Sequence, residues 1–170
     1  EPSMALPPVP NLMFMRDPCF TVFDQVVVGR MATDARKREP ALVHFALRHG
    51  LDPVPSFAFG QNDWSEHPSL RAIEGGDVLV VSPQLVLIGC SERTSPATVE
   101  RLAHDVLFRR FPDLERVCAV LMPRKRSVMH LDTALTAIDH DLFLGYAPMI
   151  SHGNGVHVVE LTRNRRPQLL

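Results

Sequence analysis

The chain has 170 residues, 45% of them hydrophobic and 22% charged, with 18 basic against 19 acidic side chains for a formal charge of −1. That balance disfavours a disordered chain and a basic nucleic-acid binder, and the length supports a single domain, residues 1–170, that needs no disulfide staples. Three cysteines, at positions 19, 90 and 118, cannot make a complete pairing framework and point to a reducing, cytoplasmic setting. The longest charge-free apolar stretch, residues 78–91, is interrupted by Ser82, Pro83 and Gln84, and falls short of the roughly 20 residues that a membrane span needs. Fifteen prolines and an initial Glu in place of Met point to a piece of a longer protein, and no cationic signal-peptide region precedes that start.

Three stretches repeat in chain order, each reading as a β-hairpin closed by glycine: Phe20 to Gly29, Val78 to Gly89 and Thr133 to Gly145. Their turns are Asp24-Gln25, Ser82-Pro83-Gln84 and Asp139-His140-Asp141. An acid enters each hairpin at one position: Asp17 lies 12 residues before Gly29, Asp77 lies 12 before Gly89, and Asp132 lies 13 before Gly145.

After the first hairpin, Pro40 would break the interior of any helix begun near Thr33, so the helix is expected from Glu39 to His49 with Gly50 as its stop. After the second, Ser95 as N-cap and Pro96 precede Val99, Leu102, Ala103, Val106 and Leu107, an amphipathic stripe. Strands are expected from Arg116 to Met122, apolar enough to be buried on both faces, and from Gly155 to Leu161. The unit is hairpin, helix, strand, with repeats near 11–60, 70–122 and 127–165. Units arranged about an axis would bring Asp17, Asp77 and Asp132 to one cleft, where mutual repulsion asks for a cationic ligand.

The polar segments near those acids are Asn11-Leu-Met-Phe-Met-Arg-Asp17, Glu74-Gly-Gly-Asp77, Ser91-Glu-Arg-Thr94 and Met129-His-Leu-Asp-Thr133. Singly, each has an ordinary explanation: a turn, a core histidine or a solvated arginine. A divalent-metal site of Asp17, Asp77, Asp132 and His130 is disfavoured by the adjacent Arg16 and Arg93 and by the lack of any standard ligand spacing.

Taken in order with Ala35-Arg-Lys-Arg-Glu39, these segments resemble the arginine deiminases of the guanidino-group modifying, or amidinotransferase, superfamily, over nearly the whole chain. Amidinotransferases and dimethylarginine hydrolases share the Glu-Gly-Gly-Asp and the His; the Ser-Glu-Arg-Thr and Met-His-Leu-Asp-Thr forms are most similar to the deiminases. The resemblance implies a five-bladed α/β propeller, the pentein-like fold, of which this chain would supply three middle blades. It implies a hydrolase converting arginine to citrulline and ammonia without cofactor or metal, as a homo-oligomer or associated with further chain portions, binding neither nucleic acid nor membrane. Within it, Asp17 and Asp132 would clamp the guanidinium, His130 would act as acid and base, and Glu74 would orient His130. Asn11, Arg36 and Arg93 would bind the α-carboxylate end, Phe14 would pack on the aliphatic stem, and Asp77 would position the ligand or an arginine. The family's nucleophilic Cys lies beyond the counterpart of Leu170, and Cys19, Cys90 and Cys118 have poor surroundings for a thiolate. The alternative expectations are a non-catalytic guanidine-binding pseudoenzyme module and another member of the superfamily, an amidinotransferase or a dimethylarginine hydrolase.

Overall fold

In the computed structural model the described residues are 7–50, 52–59, 71–150 and 156–169. Residues 60 and 70, which bound two expected repeats, and Gly155, which opens an expected strand, lie outside them.

The first hairpin is β1 (Cys19–Val22) with β2 (Gln25–Val28), antiparallel. The chain then forms α1 (Glu39–His49) and returns as β3 (Ser56–Ala58), parallel to β2. The second unit repeats that order: β4 (Val78–Ser82) pairs antiparallel with β5 (Leu85–Cys90), a helix follows, and β6 (Arg116–Leu121) lies parallel to β5. Helix α1 has the expected limits because Pro40 falls in its first turn, where its missing N–H is no loss. The second helix opens as α2 (Pro96–Arg101), with the Ser95 hydroxyl accepting from the Thr98 N–H, and continues through a π-helical stretch, Leu102–Leu107, to Phe108–Arg110. Arg163 caps its far end by donating to the carbonyls of Phe108, Phe111 and Pro112.

The third segment departs from the expected unit. Its hairpin, β7 (Leu135–Ala137) with β8 (Phe143–Gly145), is a two-stranded sheet by itself. The strand that follows, β9 (His157–Thr162), pairs antiparallel with β6 and carries β10 (Arg165–Leu169), giving a five-stranded sheet of order β10-β9-β6-β5-β4. The pairing has a physical reason: Val117 to Val120 of β6 are buried, and β9 covers that strand over six registered pairs, whereas β7 and β8 have three residues each and are mostly exposed.

Alternation along β5 sends Val86 and Ile88 to a core shared with Val99, Leu102, Leu107 and Phe108 of the second helix. Leu87 packs on the opposite side, against a smaller cluster of Val120, Met122, Val128, Leu131, Ala134 and Met149. This second cluster matters for the site, because Leu131 lies between His130 and Asp132 and is 2% exposed. The first sheet joins the second through the bridge Arg30↔Ile73, just ahead of Glu74. No helix among the described residues is long and apolar enough to cross a membrane.

Candidate active site

The loops that enter the first and third hairpins meet at a cleft of about 660 Å³, with Arg36 and Arg93. Seven of the expected residues line it: Asn11, Phe14, Asp17, Arg36, Arg93, His130 and Asp132. Met15, Arg16, Arg126 and Met129 line it as well, beyond the expected set.

Two of the motifs use one local device. Glu74 is extended and caps a 3-10 turn, Gly75–Asp77; His130 is extended and caps another, Leu131–Thr133. In the second, Leu131 is driven into the core, Thr133 closes the turn by donating its hydroxyl to the His130 carbonyl at 2.6 Å, and Asp132 remains at the cleft. The Gly-Gly pair is explained by close approach: a Cβ on Gly76 would lie 2.7 Å from His130 Nδ1, so only glycine lets the imidazole rest on this backbone.

His130 and Glu74 form the centre. Nε2 of His130 lies 2.9 Å from Oε2 of Glu74, a hydrogen bond between imidazole and carboxyl group. Oε1 of Glu74 accepts from the Ala32 N–H at 2.9 Å, and the Glu74 backbone N–H donates to Thr94 Oγ1, so the residue is held at both carboxylate and backbone. The other ring nitrogen, Nδ1, is 3.7 Å from Asp17 Oδ1. Burial opposes charge on this imidazole, yet the Glu74 hydrogen bond and the charges of Asp77, Glu74 and Asp17 outweigh it, so His130 titrates above the ordinary histidine value. Arg93 approaches Glu74 from the cleft side, Nη1 to Oε1 3.9 Å.

Asp17 is anchored through its other oxygen: Arg36 Nη1 lies 2.5 Å from Oδ2. The rest of the Arg36 guanidinium is engaged by Glu39 and by the carbonyls of Asn11 and Phe14, so its donors are turned to the protein. Asp132 has Arg16 Nη1 at 3.6 Å, and Arg16 is itself held by the carbonyls of Gly75 and Val78. Burial raises the Asp132 pKa and Asp17 adds to the rise, against the opposing charges of Arg16 and His130. The cleft thus presents two carboxylates, each with one arginine beside it.

Asp77 corrects the expectation of three carboxylates facing one cleft. It has no exposed surface; Oδ2 accepts from the Ser91 hydroxyl at 2.8 Å and Oδ1 from the Leu131 N–H at 2.9 Å. The cause is its place at the end of the Gly-Gly turn, over Gly89, where a Cβ would come within 2.3 Å of Oδ1. Burial pushes its pKa up to about 6. Asp77 therefore ties the Ser91 loop to the His130 loop, and the acid beside His130 in its place is Glu74. A tight Asp17, Glu74 and His130 cluster results, within which Nε2 and Oε2 lie at hydrogen-bonding distance, 2.9 Å.

No cysteine is among the described residues that line this cleft. Burial raises all three thiols: Cys90 is pushed up to about 12 with help from Asp77, and Cys19 and Cys118 also rise.

Against known proteins, the family model described as arginine deiminase matches residues 1–169. The chain belongs to the arginine deiminase family. An arginine deiminase of Listeria monocytogenes serotype 4b (strain CLIP80459) is 39% identical over 163 residues, covering 94% of this chain and 38% of that protein. One from Latilactobacillus sakei is 38% identical over 137 residues, 80% of this chain and 32% of that one. The chain therefore spans about a third of the length of these relatives. Among solved structures, DDAH from Pseudomonas aeruginosa complexed with citrulline has a TM-score of 0.60 at 19% identity, covering 81% of this chain and 47% of that one. The N-terminal domain of ArgZ, an arginine dihydrolase of cyanobacteria bound to its product, has a TM-score of 0.59 at 19% identity, over 82% and 45%. These two establish the shared α/β pentein fold of the family.

Proposed function

We propose that the protein to which this chain belongs hydrolyses arginine to citrulline and ammonia. The observation that carries the reading is a buried histidine gripped by Glu74 and facing Asp17, beside a second cleft carboxylate, Asp132, in a chain of this family. A planar guanidinium with five donors is met by paired carboxylates, which hold it charged and its carbon electrophilic. Asp17 and Asp132 take that part. A thiolate from outside these residues attacks the guanidinium carbon, and the C–N bond to the departing nitrogen breaks as the His130 imidazolium gives it a proton. The neutral imidazole then takes a proton from water, whose oxygen adds to the thiouronium carbon; collapse releases citrulline, returns the thiolate and passes the hydroxyl proton to solvent, where it converts the ammonia to ammonium. A histidine titrating above its ordinary value is suited to the first of these steps.

At the other end of the ligand, Arg93 and Asn11 receive the α-carboxylate and Phe14 lies along the stem. Arg36, with its donors on Asp17 and Glu39, is assigned to holding Asp17, and Asp77 to holding the His130 loop. We also read the three hairpin sheets as consecutive blades of a five-bladed propeller, in a cytoplasmic homo-oligomer.

The test is citrulline and ammonia release by the intact enzyme. His130→Ala is expected to lower kcat by about 10²-fold or more, because both proton transfers pass through the ring. Turnover that survives that change refutes the assignment. The raised thiols favour a second reading for the 170-residue chain by itself, which is expected to bind arginine and to release no ammonia. Turnover lost on mutating Cys19, Cys90 or Cys118 would overturn it.

A further inference from the structure

The Ala35-Arg-Lys-Arg-Glu39 segment contains a group that the proposed reaction leaves unused. Glu39, the first residue of α1, is 1% exposed. A carboxylate so removed from water needs a charged partner, and the hydrogen bonds found for it among the described residues all come from Arg36. Nε donates to Oε2 at 2.9 Å and Oε1 at 3.1 Å, and Nη2 donates to Oε2 at 2.7 Å. The guanidinium is thereby fixed along its Nε and Nη2 edge, leaving Nη1 to reach Asp17. That contact uses Oδ2 alone, while Oδ1 stays turned to His130.

We propose that Glu39 is a positioning residue, which occupies one edge of Arg36 so that Arg36 anchors a single oxygen of Asp17 and leaves the other for a cationic ligand. The inference rests on the proposed function. Its logic is competitive. Arginine and carboxylate prefer a two-pronged pair, and with Glu39 neutralised the Nε and Nη2 edge has Asp17 as its neighbouring anion. A two-pronged Arg36–Asp17 pair would take Oδ1 away from the ligand's guanidinium and from His130.

Steady-state kinetics of the intact enzyme with arginine, across pH and beside thermal melts, test this in wild type, Glu39→Gln and Glu39→Asp. The Gln variant is expected to raise KM about tenfold or more, since a charge-assisted contact to the ligand is lost, with a smaller fall in kcat. The alkaline limb of its pH profile is expected to move down as Asp17 leaves the imidazole. The Asp variant keeps the charge and is expected to recover most of the KM. A merely structural role would lower melting temperature and active fraction while leaving KM and the pH profile in place, and that result overturns the inference. So does an Asp variant with KM as high as the Gln variant's. Should the Gln variant fail to fold, the Asp variant decides: a shorter acid grips Arg36 less well, so KM raised about two- to fivefold supports the role, and an unchanged KM refutes it. Wild-type enzyme that leaves arginine unconverted sinks the functional reading itself, a result separate from all of these.

Discussion

The charged residues of the cleft act in layers. Asp17 and Asp132 line the cleft over His130, which sits on Glu74, and Asp77 lies beneath with no exposed surface. The layering has consequences for pH. Both His130 and Asp77 have folded pKa values above their ordinary ones, and a raised folded pKa means stability that is present below the unfolded value and lost as pH rises through the folded one. Asp77 is therefore expected to cause a loss of stability between pH 3.8 and about 6, and His130 a further loss above the ordinary histidine value near 6.5. Asp77→Asn should flatten the first descent while keeping an acceptor for Leu131; denaturant midpoints taken across pH check this, and an unchanged slope refutes it. Asp77→Ala is expected to cost about 1–3 kcal/mol, because the Leu131 N–H and Ser91 hydroxyl lose their acceptor in the core. Glu74→Gln should lower the His130 titration midpoint followed by NMR, since it removes the hydrogen-bonding carboxylate that raises it.

Hairpins, turns and caps were the most legible elements, because they depend on local chemistry. Ser95, Pro96 and the limits of α1 follow from capping and from proline's missing N–H, and the structure has them where the sequence puts them. The Asp-to-Gly interval was legible as a repeat but not as a geometry. Asp77 and Asp132 occupy similar places in the chain, yet the Gly-Gly turn buries the first while Arg16 meets the second at the cleft. The partners that decide those positions are far away in sequence, as with Arg16 on Gly75 and Val78, so no local pattern shows them. The destination of β9 was hidden for the same reason, since pairing with β6 depends on which buried edge is open. The glycines test this reading. Gly76→Ala would place a Cβ 2.8 Å from His130 Cγ, and is expected to displace the ring and lower kcat about tenfold or more. Gly89→Ala instead presses on Asp77 and Leu131, and is expected to cost about 1–3 kcal/mol of stability as an overpacked site. Chemical denaturation beside kinetics separates the two; equal effects on both quantities in both variants would refute the distinction.

At the scale of the molecule, burial is uneven. The five-stranded sheet has a packed cluster on each face, whereas the β7–β8 hairpin and its flanks expose Ile138 at 61%, Leu144 at 66%, Tyr146 at 54% and Ile150 at 50%. These residues lie close together in sequence around a sheet of only two strands, and large exposed apolar side chains beside short open edges favour association. The first two units place a strand parallel to the second strand of each hairpin, and β8 has none among the described residues. The 170-residue chain is therefore expected to self-associate through this surface as concentration rises, with a melting temperature that rises as copies cover it. Sedimentation velocity over a hundredfold range of concentration measures the first and scanning calorimetry the second. Leu144→Lys with Ile138→Lys should shift the population to monomer without disturbing His130, which stands on the Leu131 cluster on the other side of β7. A monomeric wild-type chain whose melt is sharp and independent of concentration would refute the expectation, and would show that the hairpin surface is stable in water as it stands.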